Sequence, residues 1–292
     1  MTFPRLVLKV TGAVARCTAL LLLLTLLLTP TRGLFAADTP GQNRIISLDY
    51  CADQYVLMLA PRGDILALSR EATSAVSHFK DRAQGIRQIR PDADLILSLK
   101  PSLVVSSFPR HQDLMTLLDR ANIKTLIVPY AANFDSQQNH LQMLANRFNQ
   151  HERGKEITQA RAKKRQLVLS RQKNIPAIKA LYLTPGGYTT GRGTGMHTLF
   201  KLAGIGNMLD FKKGWLPVPL EHLIVQPPTT IITSFYDDPE MATSPWGLAH
   251  HDAVNTMINK ARRIDVPSHL MACNGLFNPA AADFLQQKIL AQ

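Results

Sequence analysis

Cysteine is scarce in this chain. There are three in 292 residues, and one of them, Cys17, lies in the N-terminal stretch. No C-x-x-C pair is present, so no metal or redox motif is written in cysteine. Cys51 and Cys273 sit in different halves of the sequence. An oxidising compartment permits a disulfide between them, but a bridge between halves that must move would be a handicap. Two buried thiols are therefore expected.

Long apolar runs are equally scarce. The single candidate, Thr18 to Leu28, is almost all leucine and is shorter than the roughly 20 residues a membrane helix needs. Arg5, Lys9 and Arg16 precede it, and Ala36-Ala37 follow it. A basic start, a short apolar core and a small-residue exit predict a secretory signal peptide over residues 1–37, cut near Ala36 or Ala37. Leu34 or Phe35 would stand bulky at the third position before the cut, and an uncleaved anchor is the alternative. Arg16 before Cys17 argues against lipoprotein processing. The mature protein is expected to be soluble, monomeric and exported to the periplasm.

Catalytic and nucleotide motifs are missing as well. Neither G-x-S-x-G nor H-E-x-x-H nor a paired Cys/His signature appears, so no enzyme is expected. The glycine-rich stretch TPGGYTTGRGTGMHTLF (184–200) matches neither G-x-G-x-x-G nor the P-loop, which leaves it as a ligand-facing loop. His78, His111, His197, His222 and the His250-His251-Asp252 group show no i, i+4 pair of helical ligands. They read as surface or capping residues, and no protein-bound metal is expected. The net charge of +12 falls to +8 once Arg5, Lys9, Arg16 and Arg32 leave with residues 1–37. That favours anionic partners. Its one dense cluster, Arg161 to Arg165, reads as a solvated helix face, so no nucleic acid is expected.

What is present is βα alternation, twice. Strands are predicted at 44–48, 65–68, 103–107 and 124–129, with helices at 51–60, 92–99 and 113–121 between them. A long polar helical region, 136–173, follows, with a break near His151 to Gly154. Strands at 178–183, 229–234 and 262–266 then alternate with helices at 196–203, 220–226, 251–260 and 278–290. This predicts an α/β protein: two α/β lobes with parallel sheets, 44–150 and 176–292, joined by a single long interdomain helix, 151–175, with a ligand cleft between the lobes.

One phrase is written in both lobes. DLILSLKPSLVVSSF (94–108) and EHLIVQPPTTIITSF (221–235) each open on a carboxylate. Each places a proline seven residues later, and each ends on two hydroxyl residues and a phenylalanine. A carboxylate suits a helix N-terminus, where it opposes the partial positive charge.

These phrases, RIISLDYCADQYVLMLA and the long linking helix resemble the periplasmic binding proteins of cobalamin and ferric-siderophore ABC importers, over residues 44–290. The resemblance implies a ligand held between two lobes. It also implies that Asp94 and Glu221 dock onto the two subunits of an ABC permease dimer in the inner membrane. Asp94 is an aspartate where the family usually has glutamate.

Ligands of such sheets meet the carboxyl ends of the strands. The loops there carry Tyr50, Arg70, Phe108, Arg110 and Tyr130 in the first lobe. In the second they carry Tyr188, Thr190, Arg192, Trp215, Phe235, Tyr236 and Trp246. Flat aromatic surfaces with a few arginines suit a large chelate. A corrinoid is expected first, a ferric siderophore second and haem third. Tyr50 or Tyr188 is open as an axial ligand to haem iron. The protein needs no cofactor of its own; cobalt or iron would arrive with the transported ligand.

Overall fold

The computed structural model describes residues 43–107, 111–131, 133–239, 256, 259–273 and 275–291. The predicted signal peptide, Phe108, Arg110, Trp246, His250 to Asp252 and most of the predicted helix 251–260 lie outside the described residues.

The first lobe is a parallel sheet in the order β3-β2-β1-β4-β5. Its strands are β1 (Ile45–Ser47), β2 (Ile65–Ser69), β3 (Gln88–Ile89), β4 (Leu103–Ser106) and β5 (Lys124–Ile127). Helices α1 (Tyr50–Leu59), α2 (Lys80–Ala83), α3 (Ala93–Leu99) and α4 (Gln112–Arg120) connect them. β1 and β4 are buried throughout, as expected of strands covered on both faces.

Two helices lead out of this lobe, α5 (Phe134–Arg147) and α6 (His151–Arg171). The break between them falls at 148–150, not at 151–154, and Asn149 turns the chain at φ 56°. Gly154 is inside α6 for a packing reason: a Cβ there would lie 2.4 Å from the Cβ of Ala145 on α5.

The second sheet has the order β11-β10-β6-β8. It is built from β6 (Lys179–Leu183), β8 (Gly206–Asn207), β10 (Thr230–Ser234) and β11 (Arg262–Val266). A separate antiparallel ribbon pairs β7 (Tyr188–Thr190) with β9 (Trp215–Pro217). Helices α7 (Gly195–Ala203), α8 (Leu220–Val225), α9 (Ser268–Met271) and α10 (Asn278–Leu290) complete the lobe.

The repeated phrase occupies the same place in both sheets. β4 lies between β1, the first strand of its lobe, and β5. β10 lies between β6, the first strand of its lobe, and β11. Each is preceded by a short helix, α3 or α8, with its carboxylate in the first turn. Ile96 and Leu223, equivalent in the phrase, are both buried under their own sheet.

α6 is gripped from both sides. Towards its N-terminal half, the Gln138 amide of α5 donates to the Thr158 carbonyl at 2.7 Å. At its C-terminal half, Lys164 and Arg171 hold Asp283 of α10 at 2.8 and 2.5 Å. Those cations keep the Asp283 carboxyl below the ordinary range despite the desolvation that opposes them. One apolar cluster runs through both lobes, from Val56 and Leu144 to Phe200 and Leu285.

The expectation of two free thiols is overturned. Cys51 and Cys273 form a disulfide with a Cα–Cα distance of 5.1 Å. Separation along the sequence hid the fact that the start of α1 and the segment before α10 meet where the lobes touch.

Candidate functional site

The carboxyl ends of the first-lobe strands are organised by Asp49. It caps α1 by accepting from the N–H groups of Cys51 and Ala52 at 3.1 and 2.9 Å. It also accepts from the Ser106 hydroxyl at 2.9 Å and the Ser107 N–H at 2.7 Å. The two serines of the repeated phrase thus tie the end of β4 to the start of α1. One turn into α1, Asp53 is fully buried and accepts from Ser69 through N–H and hydroxyl at 3.1 and 2.5 Å. Burial raises its pKa to about 7, against the lowering effect of hydrogen bonds from Ser69 and Ser47.

In the second lobe the counterpart serine, Ser234, meets the Tyr182 hydroxyl at 2.5 Å. Burial pushes the Tyr182 phenol up, so it is a hydrogen-bonding group and not a base. Phe235 leaves the strand at φ 67°, turning the chain out of the sheet. Beyond it, Asp237 accepts from the Ser268 N–H at 3.1 Å, and the Arg263 guanidinium lies 4.5 Å over the Tyr236 ring. Ser234, Tyr236, Asp237, Arg263 and Asp265 line a hollow of about 310 Å³ at the ends of β10 and β11.

The β7–β9 ribbon stands at the same end of the lobe. Its register, Tyr188 opposite Pro217 and Thr190 opposite Trp215, places Tyr188, Thr190 and Trp215 on one face. Tyr188 is 51% exposed and Trp215 56%. The Trp215 indole meets the buried Tyr182 edge-on at 5.8 Å. Thr190 is fully buried, bonded to the Thr194 hydroxyl at 2.5 Å, and braces the loop from inside. The Arg192 N–H bonds the Lys212 carbonyl at 2.8 Å, and its carbonyl receives the Gly214 N–H. Arg192, Lys212 and Lys213, all exposed, therefore cluster at one end of the ribbon. Gly191 is obligatory at this crossing, because a Cβ would lie 2.4 Å from the Lys212 carbonyl oxygen.

In the first lobe Tyr130 is 64% exposed just beyond β5, and Arg70 is exposed just beyond β2. Tyr50 is half-buried at the start of α1. Asp94 and Glu221 are both exposed. The structure thus brings Tyr188, Trp215 and Arg192 onto one ribbon, and places Phe235 and Tyr236 at the end of the neighbouring sheet.

Sequence reasoning missed Asp49, Asp53, Asp237 and the pair His78–His269. Asp49 stands immediately before the helical run, the usual place of an N-cap, and was readable from that. His78, from the loop before α2, stacks on Phe277 at 4.3 Å and approaches His269 at 5.2 Å. Burial, then the neighbouring His269, lowers its pKa to about 4. Among the described residues no group of three His, Cys, Asp or Glu side chains is placed to hold a metal ion. No helix among them is long and apolar enough to cross a membrane.

Two parallel-sheet lobes whose strand ends carry ordered polar groups and bare aromatics define a two-lobed ligand-binding protein. The periplasmic binding protein family model matches residues 83–261, and the chain belongs to that family. Solved structures agree in fold. The periplasmic heme-binding protein RhuT from Roseiflexus sp. RS-1 is 18% identical, with 86% of this chain and 98% of that chain covered and a TM-score of 0.65. For the periplasmic heme-binding protein HutB of Vibrio cholerae the values are 16%, 84%, 98% and 0.68. For the Haemophilus influenzae molybdate-binding protein MolA they are 16%, 87%, 88% and 0.66. No curated protein matches the chain. The family resemblance read from the repeated phrase holds.

Proposed function

We propose that this chain is the periplasmic substrate-binding protein of an ABC importer, and that it carries haem to the permease rather than the corrinoid placed first from sequence. The observation that supports this reading is the β7–β9 ribbon. It leaves two large aromatic faces, Tyr188 and Trp215, about half in water, beside the exposed cations Arg192, Lys212 and Lys213. A flat apolar macrocycle with two carboxylates complements both features, the rings by stacking and the cations by charge-assisted hydrogen bonds. Cobalamin offers no carboxylate pair for those cations. Tyr188 also carries a phenol of the kind that ligates haem iron. RhuT and HutB are heme-binding proteins, while MolA binds molybdate, so the likeness in fold alone does not select the ligand.

Titration of residues 38–292 with haemin, followed by absorbance, tests the reading. Saturation at one haem per chain is expected, with no turnover of the ligand. Trp215→Ala removes apolar contact worth roughly 1.5–3 kcal/mol and should weaken binding about 10- to 100-fold. Arg192→Ala should weaken haem more than its dimethyl ester. Saturation by cyanocobalamin or a ferric siderophore with none by haemin would return the assignment to those ligands.

A further inference from the structure

We propose that the Cys51–Cys273 bridge is an interlobe staple that, with the chain connection through α6, restricts lobe motion to a single hinge and presets the width of the cleft. A body tied to another at one point can rock and twist in any direction. Tied at two separated points, it can turn only about the line through them. The chain itself, passing from β5 through α5 and α6 to β6, is one tie. The disulfide, closing a separation of 222 residues, is the other.

The neighbourhood of the bridge fits that role on both sides. Cys51 is the second residue of α1, and its N–H is bound by Asp49, which also holds Ser106 and Ser107 at the end of β4. A pull on Cys51 is therefore a pull on the carboxyl end of the first sheet. Cys273 stands in the segment that leads into α10, at φ 63°, with Gly275 at φ 85°. First-lobe groups and α6 grip that segment twice more within four residues. His78 stacks on Phe277 at 4.3 Å, and the Arg161 guanidinium of α6 donates to the Leu276 carbonyl. Arg161 is itself fixed by the side-chain oxygens of Gln137 and Gln138 at 2.9 and 2.8 Å. On its own side the segment is anchored by the Asn278 amide, which donates to the Gly195 carbonyl at 3.0 Å. Parting the lobes at this seam would break a covalent bond, a ring stack and a half-buried guanidinium contact together. Both cysteines are buried, at 3% and 9% exposure, so the bond is shielded from solvent thiols.

The test is made without ligand, so it stands or falls separately from the haem assignment. Peptide mapping of the exported protein under non-reducing conditions should recover Cys51 linked to Cys273. Hydrogen exchange is then compared between wild type and the double variant Cys51→Ser, Cys273→Ser. The staple predicts at least tenfold faster exchange confined to residues 272–278 and the start of α1, with β1 and β6 unchanged. It also predicts a larger radius of gyration by X-ray scattering. If every amide accelerates alike, or none does, and the radius is unchanged, the bridge adds stability only and the proposal is wrong. Unlinked cysteines in the exported protein would overturn it directly. Should the double variant fail to fold, the double variant Cys51→Ala, Cys273→Ala, which buries no hydroxyl at either position, provides the same comparison.

Discussion

Asp94 and Glu221 are one position of one repeated unit, each in the first turn of the short helix that feeds the strand beside its lobe's first strand. Both are exposed, and neither appears in an ion pair with a described residue. Two like charges repeated on two lobes suit a two-fold partner. Helix α3, which carries Asp94, is held at both ends: Asp92 caps it by accepting from the Leu95 N–H at 2.8 Å, and Arg44 closes its other end on the Leu99 and Lys100 carbonyls.

From this we propose that the two carboxylates dock the protein onto the permease. The double variant Asp94→Ala, Glu221→Ala should bind ligand as wild type does. In a reconstituted importer its stimulation of ATP hydrolysis should fall by about tenfold or more, mostly through slower association, because exposed charges at an interface act chiefly on encounter. Raised salt should weaken the wild type in the same direction. Loss of ligand affinity in the purified double variant would sink the assignment.

The same alignment predicts stability position by position. Ile96 and Leu223 are fully buried equivalents, whereas Ile224, one residue on, is 71% exposed. Ile96→Ala and Leu223→Ala should each cost about 2–5 kcal/mol, the range for a buried aliphatic truncation. Ile224→Ala should stay within about 0.5 kcal/mol. Denaturant midpoints at constant slope decide this. Similar costs at all three positions would mean that the repeat does not share a packing pattern.

Much of the architecture was legible because parallel strands demand continuous apolar runs and helices between them announce their ends. Val104-Val105 and Ile231-Ile232 are buried core and look it. The ribbon was not legible. Its strands are three residues each, Tyr-Thr-Thr inside the glycine-rich loop and Trp-Leu-Pro beyond α7 and β8, too short for any alternation to show. Tyr188, Arg192 and Trp215 could be suspected one by one, but only the β7–β9 register unites them. The disulfide was misread for another reason: a pairing of residues 222 apart depends on how the lobes meet, which no local pattern encodes. The exposed face of the long helix was half right. Lys163 is exposed, but Arg161, in the same basic cluster, is half-buried and desolvation lowers its pKa to about 10.

Acid sensitivity supplies the last prediction, because buried Asp53 and half-buried His78 act in opposite directions over one pH range. His78 has a folded pKa of about 4, below its ordinary 6.5. As pH falls from 6.5, the unfolded chain takes up a proton that the folded chain refuses, so stability is lost between about 6.5 and 4. His78 faces His269, with Lys80 and Asp237 acting on that second ring, and Arg153, Glu156, Arg161 and Lys164 line the groove beside it. Asp53 has a folded pKa of about 7, above its ordinary 3.8. Between those values the folded state holds a proton that the unfolded chain has released, so stability is lost as pH rises from about 4 to 7. Asp53→Asn retains an oxygen for the Ser69 N–H and an amide for its hydroxyl, and removes only the titration. Its unfolding midpoint should therefore drop more steeply than that of wild type as pH falls from 7 to 4. His78→Phe, which keeps a ring against Phe277, should show the reverse, a flatter acid limb. Thermal unfolding at pH 4, 5.5 and 7 measures both. Parallel curves for Asp53→Asn and wild type would mean that Asp53 is ionised in the folded protein.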